Sequence, residues 1–244
     1  MFPIHDENPS RGTPYATYAI IGLNVLSWMF LQHFGFNPGL AESICEYGLI
    51  AGELLGHLAP GAEIELGRGI TCVADAQNTE LTLLTSMFMH GSWLHIIINM
   101  WFLTIFGDNV EDSMGYVRFV IFYLLCGLGA VGVQLLSNPQ SAVPMVGASG
   151  AIGGVMGGYA LLYPRAPVHM LIFLGFFITR VIVPAYFMLG YWFLLQVVSA
   201  TATMGQEAGG VAFWAHIGGF GTGLALVKLF SIPQLREDRS RRGV

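Results

Sequence analysis

The sequence predicts an all-α polytopic membrane protein, a bundle of six transmembrane helices. Hydrophobic residues make up 54% of the 244 residues and charged residues only 10%, whereas soluble domains contain about 25% charged residues. The mean hydropathy is +0.62, and six stretches approach the length of about 20 apolar residues that a bilayer-crossing helix needs. The lipid bilayer is therefore the expected environment, and the net charge of -5 argues against a nucleic-acid partner.

The six predicted spans lie between two polar ends. The spans are Tyr15–Phe34, Trp93–Phe106, Val117–Leu136, Ser149–Leu162, Pro184–Ala200 and Phe213–Phe230. Residues 15–230 are thus predicted to form one helical domain, preceded by a cytoplasmic segment, 1–14, and followed by a basic cytoplasmic tail, 231–244. The first segment has no signal-peptide pattern, so we expect the first span to be retained.

The connection between the first two spans, 35–82, is the longest in the chain. Acidic residues dominate it, and Arg68 is its single basic residue. Loops of this length are usually functional or contain short helices, and Ile44–Leu58 is predicted to be a helix at the membrane interface. A second interfacial stretch is expected at Val168–Val183.

Arginines indicate the orientation, because basic residues favour the cytoplasmic side of a membrane. With both termini inside, only Arg68 falls outside; the arginines that fall inside are Arg11, Arg118, Arg165, Arg180 and those of the tail. Spans two, four and six then begin at the outer side. The short ends and the lack of an organelle-targeting segment favour a bacterial inner membrane.

Two of the three cysteines, Cys45 and Cys72, lie in the long outer connection, while Cys126 lies within the third span. In an oxidising compartment a disulfide between Cys45 and Cys72 is expected. Two unpaired thiols are the alternative.

Polar side chains inside a bilayer are costly and by default mark function. Four of them share the outer depth of three different spans: His95, Asn99, Ser149 and His216. The i, i+4 spacing puts His95 and Asn99 on one helix face, where they would also suit helix association. No second cluster of ligands lies at this depth, so neither a metal nor another cofactor is predicted.

Small residues suggest how Ser149 and His216 meet. The fourth span repeats Gly150, Gly154 and Gly158, and the sixth repeats Ala215, Gly219 and Gly223. Such small-xxx-small patterns let two helices pack closely. A serine at a helix start is often only an N-cap, but beside an imidazole it becomes a nucleophile with its base. No carboxylate lies at this depth, so a dyad rather than a triad is expected.

These residues belong to motifs that resemble the rhomboid intramembrane serine proteases. The motifs are Met87-Phe88-Met89-His90 with His95-xxx-Asn99-Met100, Gly107-Asp108-Asn109-Val110-Glu111-Asp112, Gly147-Ala148-Ser149-Gly150-Ala151-Ile152 and Ala215-His216-Ile217-Gly218-Gly219. The order, spacing and host spans agree, and the resemblance covers about residues 13 to 230.

The resemblance implies a serine endopeptidase that cleaves the transmembrane segments of other proteins near their outer ends. Ser149 is then the nucleophile and His216 the general base. The oxyanion hole would comprise the side chains of His95 and Asn99 and the backbone N–H of Ser149, with Gly147 beside them. The resemblance also implies that the loop after the first span is partly embedded in the membrane, 35–92, and that 184–212 acts as a substrate gate.

The chain departs from the family pattern at two places. The Trp-Arg pair common before the Met-Phe-Met-His motif is replaced by Leu81 and Thr82, which leaves the anchoring of the outer loop open. The aromatic residue that some members carry four positions after the nucleophile is replaced by Gly153, so Trp214 or Tyr159 is expected to orient the histidine. An inactive, client-binding relative is the alternative function, and the oligomeric state stays open.

Overall fold

The computed structural model describes residues 2–67, 70–74, 79–174, 177–203, 211–233 and 235. The helices are α1 Tyr15–Leu26, α2 Gly39–Tyr47, α3 Ala51–Leu54, α4 Thr82–Thr85, α5 Trp93–Met114, α6 Tyr116–Ser137, α7 Ser149–Leu162, α8 Ala185–Ala202 and α9 Phe213–Phe230. The strands are β1 Phe2–Asp6, β2 Glu63–Gly67, β3 Ile70–Val73, β4 Pro167–Leu174 and β5 Phe177–Pro184. Most of the predicted tail, 236–244, lies outside the described residues, as does Arg68.

Each of the six predicted spans contains one α-helix. Within the described residues, three helices are long and apolar enough to cross a membrane, namely α6, α8 and α9. Tyr15–Leu31, in which a π-helical turn extends α1, and Ser149–Leu162 are shorter apolar helices. The chain is mostly helical, as predicted.

Helix α5 continues to Met114 rather than ending at Phe106, because its acidic C-terminal part forms hydrogen bonds with α1. Buried Glu111 accepts hydrogen bonds from the backbone N–H groups of Ala16 (3.0 Å) and Thr17 (2.8 Å). These are among the N–H groups that the first turn of α1 leaves without an intrahelical acceptor. The carboxylate thereby caps α1 and joins it to α5.

Two small sheets correct the prediction of an all-α fold. Strands β4 and β5 form an antiparallel hairpin in the stretch predicted to be interfacial, and β1 pairs antiparallel with β4. The hairpin is rich in β-branched residues, which favour strands. Its third strand comes from residues 2–6, so this part of the N-terminal segment belongs to the fold.

The long connection folds differently from the predicted helix at Ile44–Leu58. Helices α2 and α3 are separated there, because Leu49 is extended and exchanges two backbone hydrogen bonds with Met145, at 2.8 and 3.0 Å. A disulfide joins Cys45 on α2 to Cys72 on β3, with their Cα atoms 5.3 Å apart. The β2–β3 hairpin shares a small core with Cys45 of α2 and with Ile50, the residue before α3.

Helix α7 lies at the centre of the bundle and is buried along almost its whole length. It packs on α9 through the predicted small residues. A Cβ on Gly219 would stand 2.8 Å from the carbonyl carbon of Gly150, and one on Gly223 would stand 2.6 Å from that of Gly154. Gly158 faces the side chains of Phe122 on α6 and Val227 on α9. The two backbones are already in contact at the start of α7, beside Ser149.

Candidate active site

Ser149 is the first residue of α7, and the preceding loop fixes its position at the N-terminus of the helix. Gly147 adopts a φ of +129°, which disfavours side chains, and its N–H donates to the carbonyl of Ser86 (2.9 Å). In the first turn of a helix the backbone N–H groups have no intrahelical acceptor and carry the positive end of the helix dipole. The N–H of Ser149 is one of these groups.

The hydroxyl of Ser149 meets His216 across the α7–α9 interface. The distance from Ser149 Oγ to His216 Nε2 is 2.8 Å. His216 lies one turn before Gly219, so the close approach of the two glycine backbones brings this pair within hydrogen-bond distance. The structure thus brings together the two residues that the sequence singles out as nucleophile and base.

A third residue, Gln196 on α8, contacts the other ring nitrogen of His216. Its Oε1 lies 2.8 Å from His216 Nδ1, and its Nε2 donates to the carbonyl of Trp192 at 3.2 Å. Sequence reasoning missed Gln196, although a signal existed. It is a glutamine in an apolar span, and polar groups in such spans are functional candidates.

The ring of His95 forms one wall of the site. The backbone N–H of Gly91 donates to His95 Nδ1 (3.3 Å), so the neutral ring carries its proton on Nε2. A Cβ added to Gly147 would stand 2.7 Å from that Nε2 and 3.5 Å from Ser149 Oγ. The space between the two side chains is therefore open only because residue 147 is glycine.

Asn99 lies one turn further along α5 than His95 and is buried. Its Nδ2 donates to the carbonyl of His95 at 3.0 Å, which uses one of the two hydrogens of the amide group. Both side chains line a cavity of about 790 Å³ together with Ser149, His216 and Gly147. All five residues proposed from the sequence therefore surround one space, which extends between α5, α7 and α9.

The residues that line this space suit acyl transfer. A serine hydroxyl faces a base. A protonated imidazole nitrogen, an amide and a helix N-terminus line the same cavity as that hydroxyl. Among the described residues, no group of three His, Cys, Asp or Glu side chains converges in a way that would hold a metal.

A sequence comparison identifies the family. The model of the Rhomboid domain matches residues 77–233, which is more than half of the chain and includes every side chain of the site. The chain belongs to the rhomboid family. It is therefore an integral membrane protein with the transmembrane helices typical of this family.

Curated relatives of this rhomboid come from eukaryotes. Rhomboid-like protein 11, chloroplastic, of Arabidopsis thaliana is 35% identical over 60% of this chain and 51% of its own length. Rhomboid protein 1, mitochondrial, of Saccharomyces cerevisiae is 26% identical over 99% of this chain and 71% of its own length. The chain spans about half the length of the first relative. The organellar names of these relatives argue against the expected bacterial inner membrane.

Trp192 replaces the aromatic residue that the rhomboid resemblance leads one to expect at position 153. Its ring centroid lies 5.8 Å from that of His216, at an interplanar angle of 35°. A Cβ on Gly153 would stand 3.7 Å from the Trp192 ring and 3.1 Å from the backbone oxygen of His216. The glycine thus leaves room for an aromatic ring that comes from α8 instead of α7.

The expectation that Trp214 or Tyr159 orients the histidine is wrong for Tyr159, because its hydroxyl bonds Asp6 and Asn8 at the far end of α7. Trp214 is only partly buried, and the ring contacts of His216 are with Trp192 and Phe213. The aromatic partner could not be read from spacing because it lies on a different helix.

The outer loop of this rhomboid is anchored without a Trp-Arg pair. The side chain of Gln32, after α1, exchanges two hydrogen bonds with the backbone of His90, both 2.7 Å long. Thr85 Oγ1 donates to the carbonyl of Tyr47 at 2.9 Å. These bonds fix the segment before α5 to both the first helix and α2.

Proposed function

We propose that this protein is an intramembrane serine endopeptidase that cleaves the transmembrane segments of other membrane proteins near their outer ends. The observation that carries the proposal is the 2.8 Å contact between Ser149 Oγ and His216 Nε2, on two helices of an integral membrane protein. Membership of the rhomboid family supports the same class of reaction.

The reaction begins when His216 Nε2 accepts the hydroxyl proton of Ser149, whose oxygen attacks the carbonyl carbon of the substrate. The oxyanion forms beside Gly147, where the Nε2–H of His95, the amide of Asn99 and the backbone N–H of Ser149 are available to stabilise it. His216 then gives the proton to the leaving amine. Water, deprotonated by the same histidine, hydrolyses the acyl-enzyme and regenerates the hydroxyl.

The proposed topology has six crossings and cytoplasmic termini. Asp112, at the end of α5, pairs with Arg11 at 3.1 Å, and Arg118 and Arg165 lie at the same end of the bundle, next to the start of α6 and the end of α7. Basic residues favour the cytoplasmic side. The dyad lies at the other end of α7 and would therefore open to the outer side.

The substrate must present an unwound peptide bond, because a helical carbonyl is shielded by its own turn. Transmembrane segments with glycine or helix-breaking residues near the outer end should therefore be cleaved faster than a uniform leucine helix. Equal cleavage of a poly-leucine span and a span containing glycine and alanine would contradict this part of the proposal.

A fluorophosphonate probe tests the dyad in detergent-solubilised protein. We expect covalent labelling of the wild type, none in Ser149→Ala and strongly reduced labelling in His216→Ala. Ser137→Ala is a matched control, because this exposed hydroxyl donates to a carbonyl of its own helix.

Labelling that persists in Ser149→Ala would refute the nucleophile assignment. A wild type that is folded but neither labelled nor proteolytic, and that co-purifies with a membrane client, would favour the inactive client-binding alternative.

A further inference from the structure

We propose that Gln196 is the positioning residue of the dyad, holding His216 in the one tautomer that can take the proton of Ser149. This inference rests on the proposed protease function. It assigns a role to α8, a helix that contributes neither the nucleophile nor the base.

The orientation of the Gln196 amide follows from its two contacts. One terminal atom lies 3.2 Å from the carbonyl oxygen of Trp192, and this atom must be the NH₂ group because a carbonyl only accepts hydrogen bonds. The atom that faces His216 Nδ1 at 2.8 Å is then the oxygen Oε1.

This orientation determines the proton position on the imidazole. An amide oxygen has no hydrogen to donate, so the 2.8 Å contact is a hydrogen bond only if Nδ1 carries the proton. In the neutral ring, Nε2 then has the free lone pair. The Ser149 hydroxyl, 2.8 Å from Nε2, can donate to it and transfer its proton in the attack.

If the Gln196 amide were reversed, the Ser149–His216 pair could not transfer the proton. Its NH₂ group would donate to Nδ1, so the proton of the neutral ring would lie on Nε2 and point at the Ser149 oxygen. Its carbonyl oxygen would also face the Trp192 carbonyl, where two acceptors repel each other. The Trp192 carbonyl therefore selects the amide orientation, and the amide selects the tautomer.

Burial makes this role specific to Gln196. The residue is 8% exposed and His216 is 9% exposed, so water has little access to replace a lost acceptor at Nδ1. Hydrogen bonds in such surroundings are costly to leave unmade. Trp192, one turn earlier on α8, also tilts its ring against the imidazole, so the base receives both its acceptor and its aromatic contact from one helix.

The test compares Gln196→Leu, which has a similar size but no acceptor, with Gln196→Glu, which keeps an acceptor oxygen in either protonation state. For cleavage of a transmembrane substrate in liposomes, we expect Gln196→Leu to lower kcat on the order of 100-fold with KM nearly unchanged. Gln196→Glu should restore most of kcat. Gln196→Met, whose thioether sulfur is only a weak acceptor, is a second variant for use if the branched leucine prevents folding.

A second readout does not depend on activity. The ¹⁵N NMR signals of His216 in protein with labelled histidine should show the proton on Nδ1 in the wild type and a mixture of tautomers in Gln196→Leu. A purely structural role for Gln196 would lower the melting temperature without changing the tautomer. Leu229→Ala, at the exposed far end of the helix that carries His216, should leave both kcat and the tautomer at the wild-type values.

Two results overturn the inference while leaving the protease function intact: a folded Gln196→Leu with kcat within about threefold of the wild type, or a Gln196→Glu as slow as Gln196→Leu. A wild-type protein that cleaves no substrate and takes up no fluorophosphonate would instead refute the proposed function. The NMR signals would then still decide whether Gln196 sets the tautomer.

Discussion

Replacing Gly219 by alanine should separate the two helices that carry the dyad. A Cβ at this position would stand 2.8 Å from the carbonyl carbon of Gly150, whereas ordinary contacts of a Cβ begin at 3.4 Å. The backbones of α7 and α9 must therefore move apart by about 0.6 Å, the difference between these distances, and further to clear the carbonyl oxygen.

The dyad lies beside this contact, so the hydrogen bond between Ser149 and His216 must lengthen too. Ser149 is adjacent to Gly150 and His216 is one turn from Gly219, so the 2.8 Å hydrogen bond should stretch to about 3.4 Å or more, where such bonds are weak. A misplacement of this size should lower kcat on the order of 100-fold. Overpacking should also reduce the free energy of unfolding by about 1–3 kcal/mol.

The assay measures kcat for a transmembrane substrate in liposomes, the rate of fluorophosphonate labelling and the melting temperature. Gly221→Ala, on the same helix, is the matched control, because a Cβ at this position would meet no atom within 4 Å. It has the same gain in helix propensity, about 1 kcal/mol, without the steric contact between α9 and α7. If Gly219→Ala matched Gly221→Ala in both rates, close packing of α7 on α9 would not be what holds the dyad together.

Three further substitutions test other parts of the structure. Gly147→Ala should lower kcat about 100-fold, because its Cβ would stand 2.7 Å from His95 Nε2 in the space of the oxyanion; unchanged kcat would place the oxyanion elsewhere. Cys72→Ser should reduce the free energy of unfolding by about 2–4 kcal/mol, because the disulfide joins residues 27 positions apart. Reductant should lower the melting temperature of the wild type but not that of the variant. Glu111→Gln should cost about 1.5–3 kcal/mol, because an amide presents a donor to the N–H groups of α1; an unchanged melting temperature would argue against this cap.

Residues that act through local patterns could be predicted from the sequence. The apolar helices of the bundle follow from apolar length, because a helix satisfies its own backbone groups within one segment of the chain. Ser149 and His216 follow from their depth in two glycine-spaced spans, since the helical period places the small residues on one face.

Residues that depend on distant partners could not be predicted. Gln196 was missed because its role depends on which face of α8 turns towards α9, and spacing within one helix does not reveal this. The sheet was missed for a similar reason: β1 pairs with β4, and the register puts Phe2 opposite Leu171. No local pattern links positions so far apart in the chain.

The sequence by itself determined that the chain is a membrane protein and which polar groups share one depth, because both properties follow from the order of apolar and polar residues. Only the tertiary structure decided how the base is held. The aromatic contact and the hydrogen-bond acceptor of His216 both come from α8, because Gly153 leaves room for Trp192. The orientation of a side chain depends on what packs against it from other segments, and this packing exists only after the chain has folded.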